Sequence, residues 1–336
     1  MSRQIILRLN KYVLFSLALA FMALSCDNEP IQREQEQQEE DPVEIFEPPA
    51  VQLILNELET TELNGFQRRF TNFFDNEGKH ISTDVDYLSL NESFPNIEVI
   101  TYNANGYRAS YDKNTDGFEP NIVDFEYNGS QLIEVTDVTS GLGNTYSLEY
   151  NNNQIIVTVA GIFDGLLIYE FSDNSFEQLI SYQATIPYVD ASSVPNFRFE
   201  YQYDSESNIS QITRFALNST TQVLEEDYTE LYTYDDKYNP LRVLFNSNPL
   251  IVLDPGVVRP LAFGVPSHSG FYNNRNILSI TRNYSNIPEQ RITTFTYTYN
   301  EFEFPISSSE INTIIDTSTN EESESTLRDR TYTYYE

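Results

Sequence analysis

The amino-acid sequence predicts an all-β fold: an extended antiparallel meander of repeated β-hairpins, forming a curled sheet or an open half-barrel. Three observations predict it. Apolar and polar side chains alternate with period two, as in Phe295-Thr-Tyr297-Thr-Tyr299 and Phe197-Arg-Phe199-Glu-Tyr201-Gln-Tyr203, which puts one set on one sheet face. These stretches end on Tyr or Phe and run into Asn, Asp, Gly or Ser, residues that tolerate the backbone of tight turns. The unit returns about every 21–38 residues, a range in which internal repeats mark quasi-one-dimensional architectures.

Composition supports a folded body. The 336 residues include 24 Tyr and 22 Phe, and 40% are hydrophobic, so a core can form and global disorder is excluded. The formal net charge is −32. Phosphate binding needs clustered Lys and Arg, so nucleic acid is excluded as a partner, and docking on anionic lipid is disfavoured. One cysteine permits no intrachain disulfide.

In chain order, Arg3, Arg8 and Lys11 form a positive segment, and Tyr12 to Leu24 is an apolar run. The run is shorter than the ~20 residues that span a bilayer but fits the hydrophobic part of an export signal. Ser25-Cys26 follows at once. This stretch resembles the lipobox of bacterial lipoproteins, with one departure: Ala23 stands where the consensus has Leu, and Leu24 comes one place late. The resemblance implies that residues 1–25 are a signal peptide and that Cys26 is the lipidated first residue of the mature chain. The implied partner is the outer membrane, reached through the lipid anchor, with the periplasmic or cell-surface side open. Residues 26–50 are acidic, Gln-rich and closed by Pro42, Pro48 and Pro49; they predict a disordered tether. Acids just after Cys26 resemble the surface-export signals of some Gram-negative lipoproteins, and serve equally as a plain spacer.

Residues 51–336 predict one hairpin-repeat domain. Turns are expected at Asp75–Gly78, Asn103–Gly106, Asn128-Gly129, Asn151–Asn153, Ser172–Asn174, Asp204–Asn208, Asp235–Asn239, Asn273–Asn276 and Asn300, and the chain ends on a half-unit, Tyr332-Thr-Tyr334. Tyr201-Gln-Tyr203-Asp204 through Ile209 and Tyr232-Thr-Tyr234-Asp235 through Leu241 resemble YD repeats, the Tyr-x-Tyr-Asp hairpins of Rhs-type proteins, and the whole is similar to uncharacterised YD-repeat-like lipoproteins. The usual turn Gly is Asn in these copies, and the units are too few for a toxin-enclosing shell. The resemblance therefore implies a fold and no activity.

Two stretches break the rhythm. Residues 184–196 carry Pro187 and Pro195, and residues 246–270 carry four prolines among apolar segments. A long loop of the second kind is either functional or a packed cover over a sheet face or edge. Phe263, His268 and Tyr272 are its candidate ligand-contact residues.

Chemistry is sparse. His80 and His268 are the only histidines, and no Gly-x-Ser-x-Gly elbow accompanies them. No paired His or Cys spacing suits zinc, and no Gly-rich loop suits phosphate. Asp112, Asn114 and Asp116, followed by Gly117, copy the first half of a calcium loop, but position twelve is Val123 rather than Glu. No catalytic residue and no cofactor is expected. The leading reading is a non-catalytic, lipid-anchored binding or scaffold module for a glycan, peptide or envelope protein. The alternatives are a carrier of an apolar ligand and, less favoured, a hydrolase using Ser, His268 and an acid. A membrane-spanning barrel is disfavoured because Tyr runs along the strands instead of forming girdles at the two interfaces.

Overall fold

The structure is a computed structural model, and it describes residues 54–61, 66–76, 80–88, 96–115, 121–137, 143–161, 164–174, 178–185, 195–240 and 273–335. The expected signal (residues 1–25), the expected tether (26–50) and the segment 241–272 lie outside the described residues. Among the described residues no helix is long and apolar enough to cross a membrane.

The strands are β1 (Ile54–Thr61), β2 (Phe66–Phe74), β3 (His80–Tyr87), β4 (Asn96–Tyr102), β5 (Arg108–Thr115) and β6 (Asn121–Asn128). They continue as β7 (Gln131–Asp137), β8 (Thr145–Asn151), β9 (Gln154–Ala160), β10 (Gly165–Phe171), β11 (Leu179–Thr185) and β12 (Phe197–Tyr203). The last six are β13 (Ile209–Leu217), β14 (Leu224–Tyr238), β15 (Arg275–Tyr284), β16 (Glu289–Tyr299), β17 (Pro305–Asp316) and β18 (Glu321–Tyr334). Each pairs antiparallel with the strand before and after it, and β1 pairs antiparallel with β18. The meander is therefore a closed 18-stranded barrel. This corrects the open half-barrel or curled sheet expected from the sequence. Closure removes both edge strands, which would otherwise offer unpaired backbone groups to other chains.

A single local device repeats around the ring. The pairing slips by one residue just before the last aromatic of the unit, at Phe74, Tyr102, Tyr127, Phe171, Tyr203, Tyr234 and Tyr299. The extra residue always lies on the departing strand, as Ser210 does between Gln202↔Gln211 and Tyr203↔Ile209. Such bulges sharpen local twist. Just before the bulge, hydroxyls bridge the outer face: Thr101 to Ser110, Thr233 to Ser279 and Thr298 to Ser307, each at 2.6 Å. The second aromatic then donates its hydroxyl to a carbonyl at the start of the neighbouring strand, as Tyr150 does to Leu132 at 2.9 Å, Tyr203 to Leu179 at 2.9 Å and Tyr334 to Pro305 at 2.6 Å. A phenol buried at that depth needs such a partner.

The seam between β18 and β1 repeats the same pattern across the chain ends. Thr333 pairs with Asn56 and Tyr334 with Ile54, with Leu55 as the extra residue. Asn56 donates to the Thr333 hydroxyl at 3.3 Å, in the place of the Thr–Ser bridge. Strand β1 thus completes the half-unit on which the chain ends. Tyr335 adds a bond to the Asn72 carbonyl at 3.0 Å and an edge-on contact with Phe74.

The turns show why Asx residues recur. Oδ1 of Asp204 accepts the backbone N–H groups of Glu206 and Asn208, and Oδ1 of Asn300 accepts those of Phe302 and Phe304. The left-handed position of these turns is Ser207 (φ 63°) and Glu303 (φ 65°). It is Gly106 (φ 80°) in the equivalent turn after Tyr102, the residue that adopts this conformation without strain. The Asn that replaces the expected Gly in the Asp204 copy, Asn208, is a buried linker instead.

One sequence-predicted hairpin is rearranged. The unit at Tyr232–Asp235 does not return at Leu241; β14 runs on to Tyr238 and the returning strand is β15. Segment 241–272 is an insertion into this turn. Across it, Asp235 still accepts the Asn276 backbone N–H at 3.2 Å and its side-chain amide, as Asp204 does with Asn208 in the neighbouring unit. Asn239 and Asn274 pair at 3.0 Å, and the Asn239 amide donates to the Asn273 carbonyl at 3.1 Å. Both stems of the insertion are thereby joined at its base.

Burial separates two faces of the wall. From β6 to β13 one face is aliphatic and aromatic: Ile155, Tyr169, Tyr182 and Ala184 are 0% exposed, and Phe171 and Phe199 are 1% exposed. The opposite face carries Asp124, Glu126, Ser147, Glu149, Thr158 and Gln202, all exposed. In a closed wall the buried face is the inner one, so this half of the interior is packed with side chains. The Tyr and Phe residues of the alternating stretches line this packed face.

Candidate functional site: the charged half of the barrel interior

From β13 round through β18 to β1 the inner face changes character. Register places Arg214, Tyr228, Glu230, Arg282, Tyr284, Arg291, Thr293, Asn312, Glu310, Arg330 and Glu57 on it, in line with the buried aromatics. The strands here are also longer, with β14 to β18 at 10–15 residues against seven for β7 to β12. The wall stands taller on this side.

Ions on this face are paired. Arg214 binds Asp227, and Arg282 gives Nε at 2.8 Å and Nη2 at 2.5 Å to Oε1 of Glu230. The other Glu230 oxygen accepts the Tyr232 hydroxyl at 2.6 Å. Farther round, Arg330 reaches Glu57 at 3.1 Å and Glu310 at 3.7 Å. Buried charges demand such partners, because an unpaired one costs several kcal/mol of lost hydration.

Arginines and tyrosines also stack in sequence across four strands. Arg214 lies 5.7 Å from the Tyr228 ring, Arg282 lies 4.3 Å from the same ring and 5.9 Å from Tyr284, and Arg291 lies 5.4 Å from Tyr284. Each contact places a cation over the negative face of a ring. Burial, with Glu230 nearby, pushes the Tyr228 hydroxyl up to about 12. Burial draws the Arg282 guanidinium down, but Glu230 and Tyr284 outweigh it and hold it above its ordinary value. This side chain stays cationic at every physiological pH.

A cavity of about 300 Å³ opens between these groups, lined by Glu230, Ile280, Arg282, Arg291, Thr293, Asn312, Thr313 and Ile314. None of its residues was singled out by sequence reasoning. The signal that could have found it was present: arginines and acids at aromatic-face positions of the alternation, such as Glu230 and Arg282 beside Tyr232 and Tyr284.

The sequence-predicted site residues lie elsewhere. Asp112 and Asn114 are on β5, paired with Val99 and Ile97 in extended conformation; Asp116 lies outside the described residues. The first half of the calcium-like sequence is therefore strand as far as Thr115 rather than a loop. No cluster of three metal-ligating side chains exists among the described residues. Phe263, His268, Tyr272 and Cys26 lie outside them. His80 opens β3 opposite Phe74.

The outer wall carries polar and charged groups. A membrane-spanning barrel needs an apolar outer band ~25 Å tall. Here Glu126 and Glu134 face each other across β6 and β7, and Arg198 pairs with Glu200 on β12 with side chains 37% and 45% exposed. Thr294, Thr296 and Thr298 are exposed along β16. These polar groups share the outer face with exposed Ile97, Val99, Leu166 and Leu231.

Comparison with solved structures finds two porin-like proteins. A porin-like protein from Bacteroides uniformis ATCC 8492 superposes with a TM-score of 0.47 at 13% identity, over 84% of this chain and 96% of that one. A porin-like protein from Bacteroides vulgatus ATCC 8482 gives 0.39 at 11% identity, over 84% and 99%. No family model and no curated protein matches the chain. Closure of this barrel rests on its own β1–β18 pairing.

Proposed function

We propose that this chain is a lipid-anchored protein of the cell envelope, held at the outer membrane through Cys26, whose barrel is a non-catalytic binding module standing in water beside the membrane. The carrying observation is the wall of β6 to β13, where polar and charged residues face outward and a packed aromatic surface faces inward. Such a barrel cannot insert in lipid, so the attachment falls to the lipobox-like signal. Its partner is a small molecule, a glycan, a peptide or an envelope protein. The charged interior offers ion pairs and ring stacks, without the base-and-nucleophile geometry that catalysis needs.

The packed interior of β6 to β13 weighs against a carrier of apolar ligands, and the cavity that is present is lined by arginine, glutamate and amide groups. The YD-repeat kinship suggested by the Tyr-x-Tyr-Asp hairpins fits a fold in which seven units share the same bulge before their last aromatic. The test is Cys26→Ser with metabolic palmitate labelling and fractionation without detergent. The expected result is loss of label and a soluble protein. A variant that stays in the membrane fraction refutes the anchoring.

A further inference from the structure

We propose that the cavity between β14 and β17 is a binding site for a small carboxylate with a short apolar stem. The proposal deepens the binding-module reading by naming a ligand class.

The argument is an inventory of hydrogen-bond capacity. Both Glu230 oxygens are occupied, one by Arg282 and one by Tyr232. The Thr293 hydroxyl donates to Oδ1 of Asn312 at 2.5 Å, which turns the Asn312 amide nitrogen away from that bond with its donors unused. Nε of Arg291 is held by Glu289 at 2.6 Å, and its ring contact is with Tyr284, so its two terminal nitrogens keep their donors open. The cavity therefore presents spare donors and no spare carboxylate, a match for a ligand rich in acceptors. A guanidinium fork and an amide suit the two oxygens of a carboxylate.

Arg282 and Arg291 line the cavity with one acid, Glu230, and Glu289, which is not part of the lining, pairs with Arg291, so two arginines are balanced by two acids and no carboxylate is left over to repel an anion. Ile280 and Ile314 supply apolar wall. A volume of about 300 Å³ sits at the small end of ligand pockets, which restricts the stem to a few carbons.

The test is calorimetric titration of the mature chain with butyrate, with n-butanol and glucose as comparators. Saturable butyrate binding, absent for both comparators, is expected. Arg291→Gln is expected to weaken it about tenfold, the loss of one charge-assisted hydrogen bond, and Arg291→Lys less. Asn312→Asp, which sets a carboxylate against the ligand, is expected to abolish it. Arg69→Gln, which removes an exposed arginine of the outer face, should leave it unchanged. No saturable binding, equal binding of n-butanol or glucose, or an unchanged Arg291→Gln affinity would each overturn the ligand assignment, leaving the anchored-module reading standing. Butyrate consumed during the titration would instead refute the non-catalytic reading.

Discussion

Alkaline titration probes the buried tyrosines as a set. Tyr182, Tyr228 and Tyr332 are 0%, 5% and 7% exposed. Burial raises all three hydroxyls, to about 12 for Tyr228 and Tyr332 and higher for Tyr182. A raised folded-state value means that the fold holds these protons more tightly than the unfolded chain does. The resulting stability is fully present below pH 10 and drains away as pH climbs toward the folded-state value. For Tyr228 or Tyr332 the two-unit displacement corresponds to about 2.7 kcal/mol. Together the three lose about 4 kcal/mol for each pH unit above 10, and Tyr150, Tyr203, Tyr234, Tyr297 and Tyr334 shift in the same direction. Against a typical domain stability of ~5–15 kcal/mol, unfolding should fall within about two pH units above 10. Absorbance at the tyrosinate band is a clean readout, because the chain has 24 Tyr and no Trp. The buried set should ionise in one cooperative step coincident with loss of β circular dichroism. Tyr182→Phe keeps the ring and removes one ionisable group, so its step should move to higher pH. A single smooth titration of all tyrosines, with the β signal intact, refutes the buried aromatic interior.

Three further outcomes follow from named contacts. Glu230→Ala leaves Arg282 charged without its partner and should cost ~3–5 kcal/mol in a denaturant melt; Glu230→Gln should cost less. Tyr203→Phe removes the hydroxyl bond to the Leu179 carbonyl and should cost ~1–2 kcal/mol, whereas Thr296→Ala on the exposed outer face should change stability by less than about 0.5 kcal/mol. Asn276→Ala breaks the link to Asp235 across the insertion and should cost ~1–3 kcal/mol, with faster hydrogen exchange at the start of β15.

Much of this architecture was legible because its physics is local. Alternation marked the strands, and Asx and Gly marked the turns at residues 103–106, 151–153 and 300. Barrel closure was not legible, because the decisive contact joins Ile54 to Tyr334 across the whole chain. The half-unit at Tyr332–Tyr334 was the visible trace of it, since β1 carries no aromatic-x-aromatic ending of its own. The turn at Asp235 misled for a related reason: Asn239-Pro240-Leu241 imitates the departing Asn208-Ile209, while the true partner, Asn276-Ile277, follows the inserted segment. The cavity stayed hidden because Glu230, Arg282 and Arg291 read as surface charge in a chain with 51 acids. Only the register shows that they share a face with Tyr228, Tyr232 and Tyr284.

Closure by β1 can be tested with one engineered disulfide. In a Cys26→Ser background, Asn56→Cys and Thr333→Cys sit directly opposite each other in the seam. Mild oxidation should give a monomeric, fully cross-linked chain that resists thermal unfolding better than its reduced form, with no cross-link when Asn56→Cys is combined with Thr158→Cys on β9. Two free thiols after oxidation, or cross-linking only between separate molecules, would contradict a barrel sealed by its own N-terminal strand.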